Sequence, residues 1–229
     1  MIQLEAVSHR YGDRNVLRDI DLSLVEDRIG VIGANGSGKS TLARLLNGLV
    51  VPSTGRVLVD GMDTARDGAS VRRKVAFVFS DPDAQIVMPT VAEDVAFSLR
   101  RHGLGKVEAA ERVREILGRF GLGGHADHPA HLLSSGQKQL LALASVLVTE
   151  PEVLICDEPT TLLDLRNSRH VTELLAGLQQ RVVLVTHDLE LLRGWPRVLV
   201  IDQGRVVADG PAEQSIGHYR ALMGAGRPC

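Results

Sequence analysis

A glycine-rich segment near the amino terminus constrains the fold of this chain more than any other feature. The segment consists of Gly33-Ala34-Asn35-Gly36-Ser37-Gly38-Lys39-Ser40-Thr41 and fits the pattern G-x-x-x-x-G-K-[ST]. It follows the apolar run 28–32 and opens a helical pattern. A turn in this context directs backbone N–H groups and a helix N-terminus at an anion. The sequence therefore predicts a phosphate-binding loop, with Lys39 reaching the β- and γ-phosphates of a nucleotide and Ser40 ligating Mg²⁺.

The apolar runs predict an α/β fold around this loop. Short runs at 75–79, 153–156, 182–185 and 198–201 are typical of strands buried on both faces of a largely parallel sheet. Alternation over 2–6 and 20–24 predicts half-buried strands. Helical patterns cover 39–47, 165–178 and 188–193, and Thr90 with Glu93 predicts a capping box.

These patterns predict one domain over 1–229. We expect a P-loop core with a mixed or parallel sheet, together with an antiparallel β subdomain at the amino terminus, formed by 1–85 and 150–229. The segment from about 86 to 149 lacks buried-strand runs and is typical of an inserted helical subdomain.

Two acidic residues follow the apolar run 153–156. Their position places Asp157 and Glu158 at the carboxyl end of a buried strand, where ligands bind in open α/β sheets. Asp157 is predicted to hold Mg²⁺, and Glu158 to orient and deprotonate the attacking water. Cys156 is predicted to be a small core residue. The alternative interpretation of Asp157 and Glu158 is a solvated acidic turn without a catalytic role. The phosphate loop elsewhere in the chain makes that alternative weaker.

Composition narrows the partners of the chain. The formal net charge of -2 argues against recruitment of nucleic acid by an overall basic field. Cys156 and Cys229 provide no disulfide framework and favour a reducing compartment. The longest apolar stretch, 140–148, is too short for the ~20 residues of a membrane span. Any work at a membrane is therefore expected to depend on partner proteins.

Further motifs identify a family. Leu133-Ser134-Ser135-Gly136-Gln137 resembles the signature of ABC ATPases, usually L-S-G-G-Q, with Ser135 where a glycine is usual. The other family motifs stand in family order: Tyr11, Thr161-Leu162-Leu163-Asp164 at the D-loop, Thr186-His187-Asp188 at the switch histidine and Asp202-Gln203-Gly204-Arg205 at the last hairpin. With them the chain resembles the ABC ATPase family over nearly its whole length.

The resemblance implies ATP hydrolysis between two ATPase subunits. Tyr11 would stack on adenine, and the loop residues Gly33, Asn35, Gly36, Ser37, Gly38, Lys39, Ser40 and Thr41 would bind the nucleotide. The signature residues Ser134, Ser135, Gly136 and Gln137 would hold the γ-phosphate of ATP bound by a second copy or a related chain. His187 would act with Glu158 and Lys39 in catalysis, and Asp164 would lie in the D-loop.

The segment 79–97 resembles one group within the family, the energy-coupling factor (ECF) transporters, which import vitamins and metal ions. Ser80 stands where the family has a metal-sensing glutamine, so Gln85 becomes an alternative Mg²⁺ contact in the coupling loop. The resemblance implies a transmembrane coupling subunit, a membrane substrate-binding subunit and a position on the cytoplasmic face of the membrane. The D-loop and Ser80 look most like the ATPase subunits of biotin importers, with cobalt, nickel or other vitamins as alternatives.

Other functions stay open at this point. His125, His128 and His131 with Asp127 could form a metal site, although Pro129 breaks the spacing and favours an ordinary loop. A non-transport ABC ATPase would normally carry a coiled-coil insertion or a second cassette, and neither is present. A P-loop kinase would leave the signature unexplained.

Overall fold

The computed structural model describes residues 1–100 and 102–224, so Cys229 lies outside the described residues. In chain order the strands are β1 (Ile2–Tyr11), β2 (Arg14–Leu24), β3 (Arg28–Gly33), β4 (Thr54–Val59), β5 (Met62–Asp63), β6 (Val75–Val78), β7 (Val153–Asp157), β8 (Arg181–Val185), β9 (Arg197–Asp202) and β10 (Arg205–Gly210). The α-helices are α1 (Lys39–Leu46), α2 (Gly68–Lys74), α3 (Val91–Leu99), α4 (Lys106–Arg119), α5 (Ser135–Leu147), α6 (Leu165–Ala176) and α7 (Ala212–Gly224).

The chain forms two compact units. The first, the core unit, contains 1–75, 153–157 and the residues from 180 onward. The second, the helical unit, contains 76–152 and 158–179. The boundary therefore crosses β6 and falls directly after Asp157.

Two sheets build the core unit. One is wholly antiparallel, with the order β2-β1-β4-β5. In the other, β3 pairs in parallel with β8 and β9, β7 pairs in parallel with β8, and β10 lies antiparallel to β9. Because β3, β7 and β8 point the same way, Gly33, Asp157 and Val185 end at one edge of this sheet. Nearly every residue of these three strands is buried, as the continuous apolar runs predict.

The helical unit contains α3, α4, α5 and α6. The predicted capping box opens α3: Thr90 Oγ1 accepts from the Glu93 N–H, and Glu93 Oε2 accepts from the Thr90 N–H at 3.2 Å. These bonds satisfy donors that the first helical turn leaves unpaired. No helix among the described residues has the length and hydropathy that a membrane span requires.

The helical pattern at 188–193 corresponds to a short helix in the core unit. The segment 188–193 forms a 3₁₀ helix, Leu189–Leu192, and not an α-helix. Asp188 caps it by accepting from the Glu190 N–H at 3.0 Å, and Gly194 follows with φ of 76°. A left-handed residue ends a helix, so this segment has room for about one turn.

A buried carboxylate anchors the segment between Ser80 and α3, called the coupling segment below, inside the helical unit. Asp94, on α3, is 3% exposed. Its Oδ1 accepts from the N–H groups of Val87 at 2.8 Å and Met88 at 3.1 Å, and its Oδ2 accepts from Ser145 Oγ on α5 at 2.8 Å. Three donors thus compensate the burial of the charge.

We expect Asp94→Ala to destabilise the chain by about 3 kcal/mol, because two backbone donors lose a charged acceptor. Asp94→Asn should cost about 1 kcal/mol or less, since its amide oxygen can still accept both N–H groups. Urea unfolding of the two variants measures the difference. Equal losses in both would show that the negative charge, and not an acceptor oxygen alone, stabilises this position.

Candidate functional site

The glycine-rich loop has a backbone that only glycine permits at two positions. Gly33 has φ of 153°, and a Cβ there would collide with the Ile201 carbonyl and lie 2.8 Å from Ser37 Oγ. Gly38 has φ of 113°, and a Cβ there would lie 2.8 Å from the Val16 carbonyl. The loop therefore passes against β2 and β9 with no space for side chains, as a backbone cradle for an anion requires.

The polar groups of this loop fit a phosphate. Lys39 is 5% exposed, and its Nζ donates to the carbonyls of Gly33 at 2.8 Å and Ala34 at 3.0 Å. Ser37 Oγ is buried and has no hydrogen-bond partner among the described residues. A buried ammonium and an unused hydroxyl at the N-terminus of α1 form a site that an anion would complete.

Ser40 meets the acidic strand end directly. Its Oγ donates to Asp157 Oδ1 at 2.9 Å, and Asp157 is 3% exposed at the end of β7. A hydroxyl and a carboxylate are the hard oxygen ligands that Mg²⁺ prefers, so this pair fits the metal. Cys156 is buried as predicted, and burial raises the pKa of its thiol, which keeps it protonated and unreactive.

Glu158 follows Asp157 and begins the segment assigned to the helical unit. It adopts φ of 53°, a left-handed conformation that is rare for residues other than glycine. Thr161 Oγ1 donates to its Oε2 at 2.9 Å. Strained backbone of this kind occurs often at active sites, because it fixes the direction of one side chain.

A cavity of about 240 Å³ lies beside the phosphate loop and is lined by Tyr11, Arg14 and Val16 with the loop residues. Tyr11 is 49% exposed, and its ring packs edge to face on His9 at 4.6 Å. A braced, exposed aromatic ring is suited to stack on a planar base. The sequence analysis did not identify Arg14 and Val16 as lining residues of this cavity. Their position just after the turn at Gly12, close to Tyr11 in the sequence, was the signal that could have identified them.

His187 lies at the same sheet edge. It is exposed and comes two residues after the end of β8. The preceding Thr186 is buried, and its Oγ1 accepts from the Asp188 N–H at 3.0 Å. Since β8 lies between β3 and β7, the sheet order brings His187 to the edge that carries Gly33 and Asp157.

The signature segment opens α5 in the helical unit. Ser134 is its N-cap, with Oγ accepting from the Gln137 N–H, while Gln137 Oε1 accepts from the Ser134 N–H at 2.9 Å. Ser135 is exposed, so its side chain does not disturb the helix. Gly136 is buried, and a Cβ there would lie 2.5 Å from Asn167 Cγ. The unusual Ser135 therefore has space for its side chain. The retained Gly136 stands where a side chain would meet Asn167.

The coupling segment is tied to the signature helix within the same unit. Gln85 Oε1 accepts from the Phe79 N–H at 3.2 Å, and its Nε2 donates to the Ala142 carbonyl at 2.9 Å. Lys138 Nζ contacts both carboxylate oxygens of Asp83, at 2.7 and 3.1 Å. Both ends of the Gln85 amide are thus used to fix the turn that follows Ser80.

The remaining candidates have local roles in the helical unit. Asp164 is the N-cap of α6, and its Oδ1 accepts from the Asn167 N–H at 2.8 Å. His125 and His128 are in ring contact at 5.0 Å. In the part of the chain that the structure describes, no three metal-binding side chains are grouped as a metal site.

Comparison with known proteins agrees with this arrangement. The model of the ABC transporter family matches residues 17–161. The chain is 54% identical, over 97% of its length and 99% of the relative, to a Deinococcus radiodurans protein with the provisional name ABC transporter ATP-binding protein. It is 49% identical, over 96% and 98%, to the biotin transport ATP-binding protein BioM of Rhizobium etli. It is 39% identical, over 90% and 77%, to the energy-coupling factor transporter ATP-binding protein EcfA1 of Halalkalibacterium halodurans.

Solved structures share the fold. The protein cbiO1 of Clostridium perfringens, part of the ABC transporter complex cbiONQ, matches with a TM-score of 0.83 and 33% identity over 97% of this chain and 93% of its own. The ATP-binding cassette MJ0796, a dimer bound to ADP and Pi, matches with a TM-score of 0.82 and 28% identity over 93% and 99%. The predicted α/β cassette is confirmed, and the chain belongs to the ABC transporter family as an ATP-binding and ATP-hydrolysing subunit.

Proposed function

We propose that the chain energises an ECF-type importer of biotin by hydrolysing ATP, with Mg²⁺, at the interface of two ATPase subunits. The phosphate loop supports this proposal, because the buried Lys39 and the Ser37 hydroxyl, which has no partner in the described part of the chain, stand beside the Ser40–Asp157 pair. Residues 1–229 act in it as a single ATPase domain.

Binding begins at the core unit. The N–H groups of Gly33, Asn35, Gly36, Ser37, Gly38, Lys39, Ser40 and Thr41 surround the phosphates. Lys39 supplies the positive charge, and Tyr11 stacks on adenine. Ser40 and Asp157 would hold Mg²⁺, and the ion would supply positive charge against the phosphates. Both ends of the Gln85 amide are bonded, to Phe79 and to Ala142, so we assign this residue mainly to shaping the coupling segment and keep a Mg²⁺ contact as its alternative role.

Hydrolysis needs a base and a contact to the γ-phosphate. Glu158 accepts the proton of the attacking water, and its strained backbone supports a fixed direction for the carboxylate. His187 donates to the γ-phosphate from the edge of the same sheet that bears the phosphate loop. Lys39 stabilises the charge that develops as the bond to the leaving group breaks.

A second ATPase subunit completes each site. The first N–H groups of α5, with the Ser134, Ser135, Gly136 and Gln137 positions, form a helix N-terminus that binds the γ-phosphate of ATP held by the other subunit. The dimeric MJ0796 cassette supports this assembly. Asp164, which caps α6, belongs to the D-loop of the same interface. The second subunit is another copy or a related chain.

In this proposal, membrane proteins use the energy of ATP hydrolysis for transport. A transmembrane coupling subunit contacts the segment from Ser80 through Gln85 into α3, and a separate membrane subunit binds the substrate. The chain itself lies on the cytoplasmic face. The match to cbiO1, part of the cbiONQ complex, supports such partners. Identity of 49% to a biotin transport protein supports biotin, with cobalt, nickel or another vitamin as the second candidate.

Uptake by the assembled complex tests the substrate. The chain, purified in detergent with the membrane proteins that accompany it, is reconstituted into vesicles containing ATP, oriented so that the ATPase faces the ATP. We expect accumulation of labelled biotin, and loss of that accumulation with Lys39→Ala. Accumulation of cobalt, nickel or another vitamin in place of biotin would contradict the substrate assignment. No membrane proteins accompanying the chain would contradict the transport role.

A further inference from the structure

The Gln137 side chain of the signature is held between two partners. Its Oε1 accepts from the Ser134 N–H at 2.9 Å, and its Nε2 lies 3.1 Å from Nε2 of His125. His125 is half-buried and belongs to the loop that precedes the signature. Its other ring nitrogen, Nδ1, is buried without a hydrogen-bond partner among the described residues. The contact with Gln137 is therefore the polar interaction that the structure gives this ring.

Hydrogen-bond chemistry fixes the direction of this contact. A backbone N–H only donates, so the oxygen of the Gln137 amide faces Ser134 and its NH₂ group faces the imidazole. An NH₂ group only donates, so His125 Nε2 accepts and the ring proton lies on Nδ1. The bond thus runs from Gln137 Nε2–H to His125 Nε2.

The loop that carries His125 is itself fastened to α3. The Ala126 carbonyl accepts from the Ala92 N–H at 2.9 Å, the His128 carbonyl accepts from the Val91 N–H at 3.2 Å, and the Ala130 N–H donates to the Pro89 carbonyl at 2.8 Å. The imidazole is therefore presented to α5 from a fixed backbone. A fixed acceptor reduces the rotamer freedom of Gln137 before any ligand binds.

We infer that His125 is a positioning residue for the signature. It holds the Gln137 amide so that the capping box stays closed and the first N–H groups of α5, with Ser134, keep the geometry needed by a γ-phosphate on the other subunit. His125 itself touches no nucleotide. The inference rests on the proposed function, because it assigns the role to the ATP-bound dimer.

Dimerisation in the Glu158→Gln background tests the role, since bound ATP is expected to persist there. His125→Leu keeps apolar volume but removes the acceptor. We expect it to raise the dissociation constant of the ATP-bound dimer about tenfold, the size of a lost cap. His125→Gln places an amide oxygen near the position of Nε2 and should stay within about twofold of the parent. His131→Leu is the matched control, since His131 is an exposed histidine further along the same segment.

Binding of a fluorescent ATP analogue to dilute monomers separates the two parts of the argument. Both His125 variants should bind it like the parent, because the phosphate loop is in the core unit. A Glu158→Gln parent that fails to dimerise with Mg-ATP would overturn the proposed dimer. If the parent dimerises, two results would overturn the inference. One is a His125→Leu variant whose dimer dissociation constant is unchanged, and the other is a His125→Gln variant that dimerises as weakly as His125→Leu. A His125→Leu variant with a lowered melting temperature and no ATP binding would also overturn the inference, because that result would assign His125 to the stability of the fold alone.

Discussion

Replacement of Glu158 by glutamine is expected to slow ATP hydrolysis by about 10²-fold or more while ATP stays bound, because general-base catalysis contributes on that scale. The amide has nearly the shape of the carboxylate and can still accept from Thr161 Oγ1, which donates to the native side chain at 2.9 Å. The amide accepts no proton from water at neutral pH. The variant should therefore accumulate in the state that precedes hydrolysis.

Size-exclusion chromatography with Mg-ATP measures that state as a dimer, and a phosphate-release assay measures turnover. Glu213→Gln is the matched control, since Glu213 is exposed on α7, outside the site, and should leave both readouts unchanged. A Glu158→Gln protein that remains monomeric and hydrolyses ATP at the parent rate would remove Glu158 from the reaction.

Lys39→Ala is expected to reduce turnover by about 10²- to 10³-fold, the effect of removing one donor from developing transition-state charge. It should also weaken ATP binding, because the phosphates lose a buried point charge. The native ammonium is bonded to the Gly33 and Ala34 carbonyls, and the loop sequence 33–41 contains no second Lys or Arg that could replace it. The deficit should therefore appear in both KM and kcat.

Steady-state kinetics with titrated ATP measures this deficit. Lys74→Ala provides the control, because Lys74 pairs with Asp60 on the surface of the same unit and does not line the cavity beside the loop. Parent-like kinetics in Lys39→Ala would contradict the assignment of the phosphate loop. Loss of activity in the Lys74 variant as well would attribute the effect to damage of the core unit.

Most of the core unit could be predicted from the sequence because the signals for its elements are local. The buried strands are continuous apolar runs, and the phosphate loop is a contiguous motif, so both were predicted and the α/β cassette is confirmed. The capping box at Thr90 is confirmed for the same reason, since Thr90 and Glu93 are three residues apart. The boundaries of the predicted domain and the roles of the site residues stay predictions.

Long-range contacts explain what the sequence could not reveal. The bond between His125 and Gln137 joins a loop to a helix, and no periodicity encodes it. Gln85 became a candidate metal contact because it lies near Ser80 in the sequence. Its amide bonds to Phe79 and to Ala142, and Ala142 lies on α5, far along the chain. The pattern at 188–193 predicted a helix without its type, and the 3₁₀ helix Leu189–Leu192 is followed by a left-handed Gly194 that an apolar pattern does not encode.

The close approach of Asn167 to Gly136 links two segments over evolutionary time. A methyl group at 136 would overlap the Asn167 carboxamide on α6, so a larger residue at 136 requires that side chain to move away or to become smaller. Chains that acquire alanine at the signature glycine should first have acquired a smaller side chain at 167. Mutational order is thereby restricted, and the signature and the D-loop helix are expected to be inherited as one block when cassettes recombine.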